Sequence, residues 1–335
     1  MSFPNVMPFG QLPDGRQVER ITLRGGGVTL CLLTHGARVQ DLRLAGVDHP
    51  LVIGSDTIAP YLNEMMYHGA IVGRCANRIA QARFDLDGGT FYTDPNEWGL
   101  QTLHGGADGT SSQIWQIAAV SHDRASLICE LPDGHMGFPG AMSITVTYSV
   151  LSGDTVTIDI SAKTDRATLC NFTHHGYFFL DGKKTITDHA LWIDADYYLP
   201  VDNTLIPTQE GPAPVQDTRF DFRAPRVIGT AGLDHNFCLN NSNGKLRPVA
   251  SLTAPGGLTM EVQTDQPGLQ VYDAGQQSIV VGLGGRKHGA FAGIAMETQI
   301  WPDAANRPDF PSATLFPHQT YRHCVSYSFQ KGALQ

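Results

Sequence analysis

The segment MSITVTYSVLSGDTVTIDISAKT, residues 142–164, constrains the fold more than any other stretch of this chain. Met142, Ile144, Val146, Tyr148 and Val150 alternate with Ser and Thr. A turn signal follows at Ser152-Gly153-Asp154, and Val156, Ile158 and Ile160 then alternate again. A period of two places each apolar set on one face of an extended chain, so the pattern predicts two half-buried strands joined by a tight turn; a helix does not fit it. Strand-like runs recur at 28–33, 37–44, 114–119, 125–131, 190–194, 258–264 and 268–272, punctuated by Gly, Pro, Asn and Asp. No window of useful length carries apolar residues at helical spacing with caps, and no linker, composition break or fixed-period repeat divides the chain. The expectation is an all-β protein: a single large antiparallel β-sandwich domain spanning residues 1–335, with the functional site on the sheet faces.

Composition narrows the function. Charged residues make up 16% of the 335, against 36 Gly and 20 Pro, which favours turns over long exposed helices. The formal net charge is −9 with no Lys/Arg cluster, so nucleic acid and anionic membrane are not expected partners. The opening segment MSFPNVMPFGQLPDGRQ lacks a basic region followed by an apolar one, so no signal peptide is read, and no apolar stretch reaches transmembrane length. Cys31, Cys75, Cys129, Cys170, Cys238 and Cys324 are scattered, without C-x-x-C or zinc-ligand spacing, as expected of free thiols in the cytoplasm. Monomer and homodimer both remain open.

Several polar groups lie in or beside apolar runs. Glu297 sits in GAFAGIAMETQIWPDAANRPDFP (289–311). A carboxylate there is costly unless it is paired or used. On a strand, Phe291, Gly293, Ala295, Glu297 and Gln299 share a face of mostly small residues, which leaves room for a ligand, while Ile294, Met296 and Thr298 point the other way. The bland reading is a carboxylate capping the turn at Trp301-Pro302-Asp303. NFTHHGYFFL (171–180) places Asn171, Thr173, His175, Tyr177 and Phe179 on one face by alternation and His174 on the other, so one histidine of the pair serves a given pocket. A histidine in a strand is more often a hydrogen-bonded core residue than a catalyst. LHGG (103–106) puts two glycines after His104, where the backbone can come close to its neighbours. GRCANRIAQARF (73–84) sets Arg74 and Arg78 around Asn77, and GLDHNF (232–237) supplies Asp234, His235 and Asn236. Each has an ordinary alternative as a surface ion pair, turn former or satisfied polar group.

Taken in order, GRCANRI, LHGG, DGHMGFPG (133–140), NFTHHGYFFL, YLPVDNTLIPTQEG (198–211), GLDHNF, TDQPGLQVY (264–272) and METQIWPDAANRPDFP (296–311) resemble the motifs of the aldose 1-epimerases (galactose mutarotases), from about residue 18 to 326. Collinear motifs are far more specific than any one alone. The resemblance implies a large antiparallel β-sandwich with a sugar cleft, and cofactor-free interconversion of the anomers of an aldohexose or aldopentose. The family's base falls on Glu297 and its acid on His175. His104 would bind substrate and help at the ring oxygen; Asn77, Arg78, Asp234 and Gln270 would hold sugar hydroxyls.

The chemistry accounts for these residue types. Opening a hemiacetal removes the proton from the C1 hydroxyl while the ring oxygen is protonated; the aldehyde rotates about C1–C2 and recloses on its other face with the two groups exchanging roles. A carboxylate and an imidazolium suffice, and no metal, nucleotide or nucleophile is required. The chain departs from the family in having His174-His175 where Asn-His is usual and Phe179 where Asn is usual, and in NEWGLQT (96–102) before LHGG. By alternation His174 is expected to affect packing or an outer rim, and Phe179, on the His175 face, to reshape the cleft. These departures leave glucose, a pentose or a deoxy sugar open beside galactose.

Other readings compete. A metal site built from His104, His174, His175 and Asp234 lacks any H-E-x-x-H or similar spacing. A non-catalytic carbohydrate-binding module would have no need of Glu297 with His175. A hexose-6-phosphate epimerase relative would need extra basic residues. GLGGRK (282–287) is a tight turn rather than a phosphate loop, no G-x-S-x-G marks a hydrolase, and the NFT sequon at Asn171 is expected to be strand-buried and unmodified.

Overall fold

The computed structural model describes residues 5–332. Both ends of the 1–335 span, and the first four residues of the segment searched for a signal peptide, lie outside the described residues. Among the described residues the regular structure is β-strand with a few short 3₁₀ turns, and no helix is long and apolar enough to cross a membrane.

The predicted hairpin forms as strands Met142–Leu151 and Thr155–Thr164, paired antiparallel from Met142↔Thr164 to Leu151↔Thr155. It lies within a nine-stranded antiparallel sheet, flanked by Arg124–Leu131 on one side and Tyr321–Lys331 on the other. Its inward face carries Met142, Ile144, Val146, Ile158 and Ile160, all buried in the main core. The runs at 28–33, 258–264 and 268–272 form strands with those same bounds. The runs at 37–44, 114–119, 125–131 and 190–194 form Arg38–Leu44, Gln116–Val120, Arg124–Leu131 and Ala190–Ile193. Two long strands escaped the alternation argument, Gln17–Gly25 and Tyr321–Lys331. In the second, His323, Val325, Tyr327 and Phe329 point inward, so two of its core positions carry polar atoms and blur the apolar period.

A six-stranded antiparallel sheet stands across the core. Its order is Tyr177–Phe178, Ile294–Gln299, Gly268–Tyr272, Asp234–Cys238, Tyr197–Tyr198 and Ala213–Pro214. Ile294–Gln299 is buried on both faces. One face meets the large sheet: the Thr298 hydroxyl lies 2.8 Å from His323 Nε2, and His323 Nδ1 bonds the Phe172 carbonyl at 3.0 Å. The opposite face carries Ala295, Glu297 and Gln299, of which Glu297 lines the cleft. The sandwich therefore dictates which alternate residues become core and which become site.

Candidate active site

Backbone register lines up the strands that carry Asp234, Gln270 and Glu297. Asn236 pairs with Gln270, and Gln270 with Glu297, so the three form a row across neighbouring strands. Asp234, two residues before Asn236, shares that face; the Gln270 amide donates to Asp234 Oδ1 at 2.7 Å. A second group arrives from the loops before the large sheet. Arg78–Ile79 pairs with Thr102–Leu103, which sets Arg78 beside His104. Asn77 and His104 then lock each other: the His104 amide donates to the Asn77 carbonyl at 3.0 Å, and the Asn77 amide donates to His104 Nδ1 at 3.2 Å. Gly105 is required here, because a Cβ would lie 2.1 Å from the Gly73 carbonyl oxygen and the residue adopts φ +87°.

Asn77, Arg78, His104, Asp234, Gln270 and Glu297, with His175 and Tyr177, line a cleft of about 680 Å³. His175 Nε2 lies 3.5 Å from Glu297 Oε1, just beyond hydrogen-bond length. Glu297 Oε2 and His175 Nδ1 have no protein partner. The His175 ring is stacked between Tyr67, with centroids 6.0 Å apart, and Tyr177, at 5.1 Å. The His104 ring meets it edge-on at 5.1 Å. Both ionisable groups are buried. Burial raises the Glu297 carboxyl well above the usual range, helped by Asp234 and opposed by Arg78. Burial lowers His175 to about 4 and His104 well below its ordinary value. Desolvation thus favours a neutral pair holding one proton between Glu297 and His175.

Arg78 is gripped from outside the predicted set. Its Nε and Nη2 donate to the two oxygens of Glu97 at 2.8 and 2.9 Å, and Nη2 lies 3.9 Å from Asp234 Oδ2. Burial opposes the guanidinium charge, but the Asp234 and Glu97 carboxylates outweigh it and raise its pKa. Glu97 and Tyr67 were missed from sequence. Glu97 lies in the segment that departs from the family pattern, and the one available signal was an acidic residue close in sequence to LHGG. Tyr67 stands in no motif.

Three of the singled-out residues serve other ends. Arg74 is buried and donates to the carbonyls of Pro139, Gly140 and Pro132, holding the DGHMGFPG loop. His174 points into the core rather than to an outer rim, with Nδ1 3.2 Å from the Tyr327 hydroxyl. Phe179 does not reshape the cleft: the strand stops at Phe178, so alternation fails, and the Phe179 ring packs against His49 and His288. The alternative reading of Glu297 as the cap of the Trp301-Pro302-Asp303 turn also falls, because its Oε1 faces His175 and its Oε2 has no protein partner.

A metal quartet including His174 and Asp234 does not assemble. The donors that converge are His104, His175 and Glu297, whose ligating atoms lie within 4.8 Å of one another. Their chemistry fits a metal poorly. Because His104 Nδ1 accepts an amide proton, the neutral ring carries its own proton on Nε2 and offers the cleft a donor instead of a lone pair.

Comparison with known proteins bears on the same residues. The aldose 1-epimerase family matches residues 19–328. Galactose mutarotase of Mus musculus is 37% identical, over 96% of this chain and 97% of its own. Aldose 1-epimerase of Escherichia coli is 32% identical, over 95% and 96%. Among solved structures, an aldose epimerase homologue from C. elegans superposes with a TM-score of 0.87 at 27% identity, covering 93% of this chain and 98% of that one. Galactose 1-epimerase from Lactobacillus acidophilus gives 0.85 at 26% identity, covering 98% of each chain.

Proposed function

The chain belongs to the aldose 1-epimerase family, and from that premise we propose that it interconverts the α and β anomers of a free aldose, with Glu297 as base and His175 as acid. The observation that carries this reading is the buried Glu297–His175 pair, 3.5 Å apart at the floor of the cleft. Sugar hydroxyls entering the cleft solvate the ionised form of the pair. Glu297 then takes the proton from the C1 hydroxyl, and His175 protonates the ring oxygen. On reclosure the protons return by the opposite route, so the pair ends with the one proton it began with. Two protons would leave it without a base, and none would leave it without an acid.

The remaining cleft residues bind. His104 donates from Nε2 to a substrate oxygen. Arg78, Asn77, Asp234 and Gln270 take the hydroxyls, with Glu97 holding Arg78 in place. The single domain over 1–335 and a cytoplasmic location belong to this same reading, supported respectively by the sheets packed across one main core and by free cysteines that are mostly buried.

Polarimetry or anomeric-proton NMR on freshly dissolved α-D-galactose, α-D-glucose, D-xylose and L-arabinose tests the proposal. The wild type accelerates equilibration, and Glu297→Gln, though folded, loses roughly 10³-fold of that acceleration; a variant as fast as wild type sinks the mechanism. A second arm concerns metals. Enzyme dialysed against a chelator keeps its rate, because His104 faces the cleft with a proton; a loss restored by a divalent cation would reassign the three convergent side chains as ligands.

A further inference from the structure

The sheet face that presents Glu297 continues behind the cleft. Gln299, two residues on, and Asn236 are both buried, and neither lines the cleft. Gln299 pairs with Gly268, while Asn236 pairs with Gln270, which pairs in turn with Glu297. Gly268 has no side chain, and Asn236 leans into that place: a Cβ on Gly268 would lie 2.6 Å from Asn236 Oδ1. The lean carries Asn236 Oδ1 from the row of Glu297 toward the row of Gln299.

Four side chains thus converge behind the base with polar atoms to spare. Both amide atoms of Gln299, Asn236 Oδ1, Gln270 Oε1 and Glu297 Oε2 are buried without a protein partner. Exchanging the nitrogen and oxygen of Gln299 changes nothing, since neither has one. Buried donors and acceptors are costly to leave unmade, so this patch calls for a shared partner. Gln299 and Glu297 stand about 6.8 Å apart along the strand, a spacing that suits one water reaching about 2.8 Å each way. We propose that Gln299 and Asn236 hold one buried water against Glu297 Oε2, which makes Gln299 a positioning residue for the base. The water accepts from Gln299 Nε2 and donates to Asn236 Oδ1 and Glu297 Oε2, the three bonds typical of buried water. It keeps its own protons throughout. Its bond to Oε2 is stronger when Glu297 is ionised, so it favours the carboxylate that takes the C1 proton. The titratable and charged groups that face Glu297 are His175, His104, Arg78 and Asp234 in the cleft, with the Tyr177 and Tyr327 hydroxyls. Gln299 is uncharged and enters this balance only through the water. The inference rests on the mutarotase reading of Glu297 and His175.

The test is the pH profile of anomeric exchange above the buffer blank, on wild type and on Gln299→Met, which keeps the volume and removes the amide. In the resting pair Glu297 holds the proton, so its loss sets the alkaline limb of kcat/KM. Proton uptake by His175 sets the acid limb. Without the water the carboxylate is less favoured. The plateau kcat then falls about tenfold with KM changed less, and the alkaline limb moves up by about one pH unit while the acid limb stays. A wild-type profile overturns the proposal. So does a slower enzyme with its alkaline limb in place, which marks Gln299 as structural only. If Gln299→Met does not fold, a crystal structure of the wild type decides. A water bonded to both Glu297 Oε2 and Gln299 supports the proposal; a direct bond between the two side chains, or packing without water, overturns it. If the wild type does not accelerate mutarotation, the acid/base reading of the pair fails, and the same crystal structure decides the water alone.

Discussion

Arg78 carries five donors, and what holds one edge of its guanidinium decides what the other edge can do. Glu97 takes Nε and Nη2 in a two-point contact between side chains exposed by 9% and 11%. Such a fork fixes the plane of the guanidinium and directs the remaining Nη1. Glu97→Gln keeps the volume but cannot accept at both points. The expected outcome is a KM for the preferred aldose raised about tenfold, with kcat changed less, because the Glu297–His175 pair is untouched. Steady-state polarimetry on the variant reads this directly; an unchanged KM would mean that Asp234 alone suffices to orient Arg78.

At the scale of the element, NFTHHGYFFL shows where a period of two holds and where it stops. Thr173–His174 pairs with Ile71–Val72, and Tyr177–Phe178 pairs with Ile294–Ala295. His175 and Gly176 bridge two different sheets. His175 and Tyr177 still share the cleft face, as alternation predicts, but Phe179 lies past the strand end and is governed by its bond to the Leu51 carbonyl. His174 packs edge-on to Phe178 and Tyr327. His174→Asn should therefore retain more than half of wild-type activity while losing about 1–3 kcal/mol of stability from the emptied space and the lost Tyr327 contact. Urea unfolding together with anomeric NMR checks both halves; loss of activity with stability preserved would give His174 a part in the chemistry that its orientation denies.

At the scale of the molecule, the packed sheets bury many imidazoles. Burial lowers His35, His68 and His174 to about 3, and His175, His288 and His323 to about 4. In the unfolded chain each titrates near 6.5. Between these values the unfolded state binds more protons, so their contribution is intact above about pH 6.5 and is lost as the pH falls. Glu297, Asp41, Asp234 and Asp303, with raised folded pKa values, have the opposite sign, but the six lowered imidazoles outnumber them. Two of these rings alone, at about 1.4 kcal/mol per pH unit each, would remove more than about 2 kcal/mol between pH 6.5 and 5. Urea midpoints measured at pH 7.5 and 5 should fall accordingly, and equal midpoints would contradict the buried, neutral state of these rings.

The sequence by itself determined the all-β class, the positions of the hairpin and of several longer strands, and the face that Glu297 presents. Each follows from the two-residue period of an extended chain, which is a local property. The family motifs carried the remaining site residues as an expectation. Tertiary structure decided what local period cannot reach: that Asn236, Gln270 and Glu297 stand in one row, and that Glu97 holds Arg78 by a two-point contact. It also decided that Phe179 leaves the cleft. Pairing register and loop docking bring together residues separated by tens to hundreds of positions, and the energies that select those contacts, desolvation and directional hydrogen bonding, exist only once the sheets have packed.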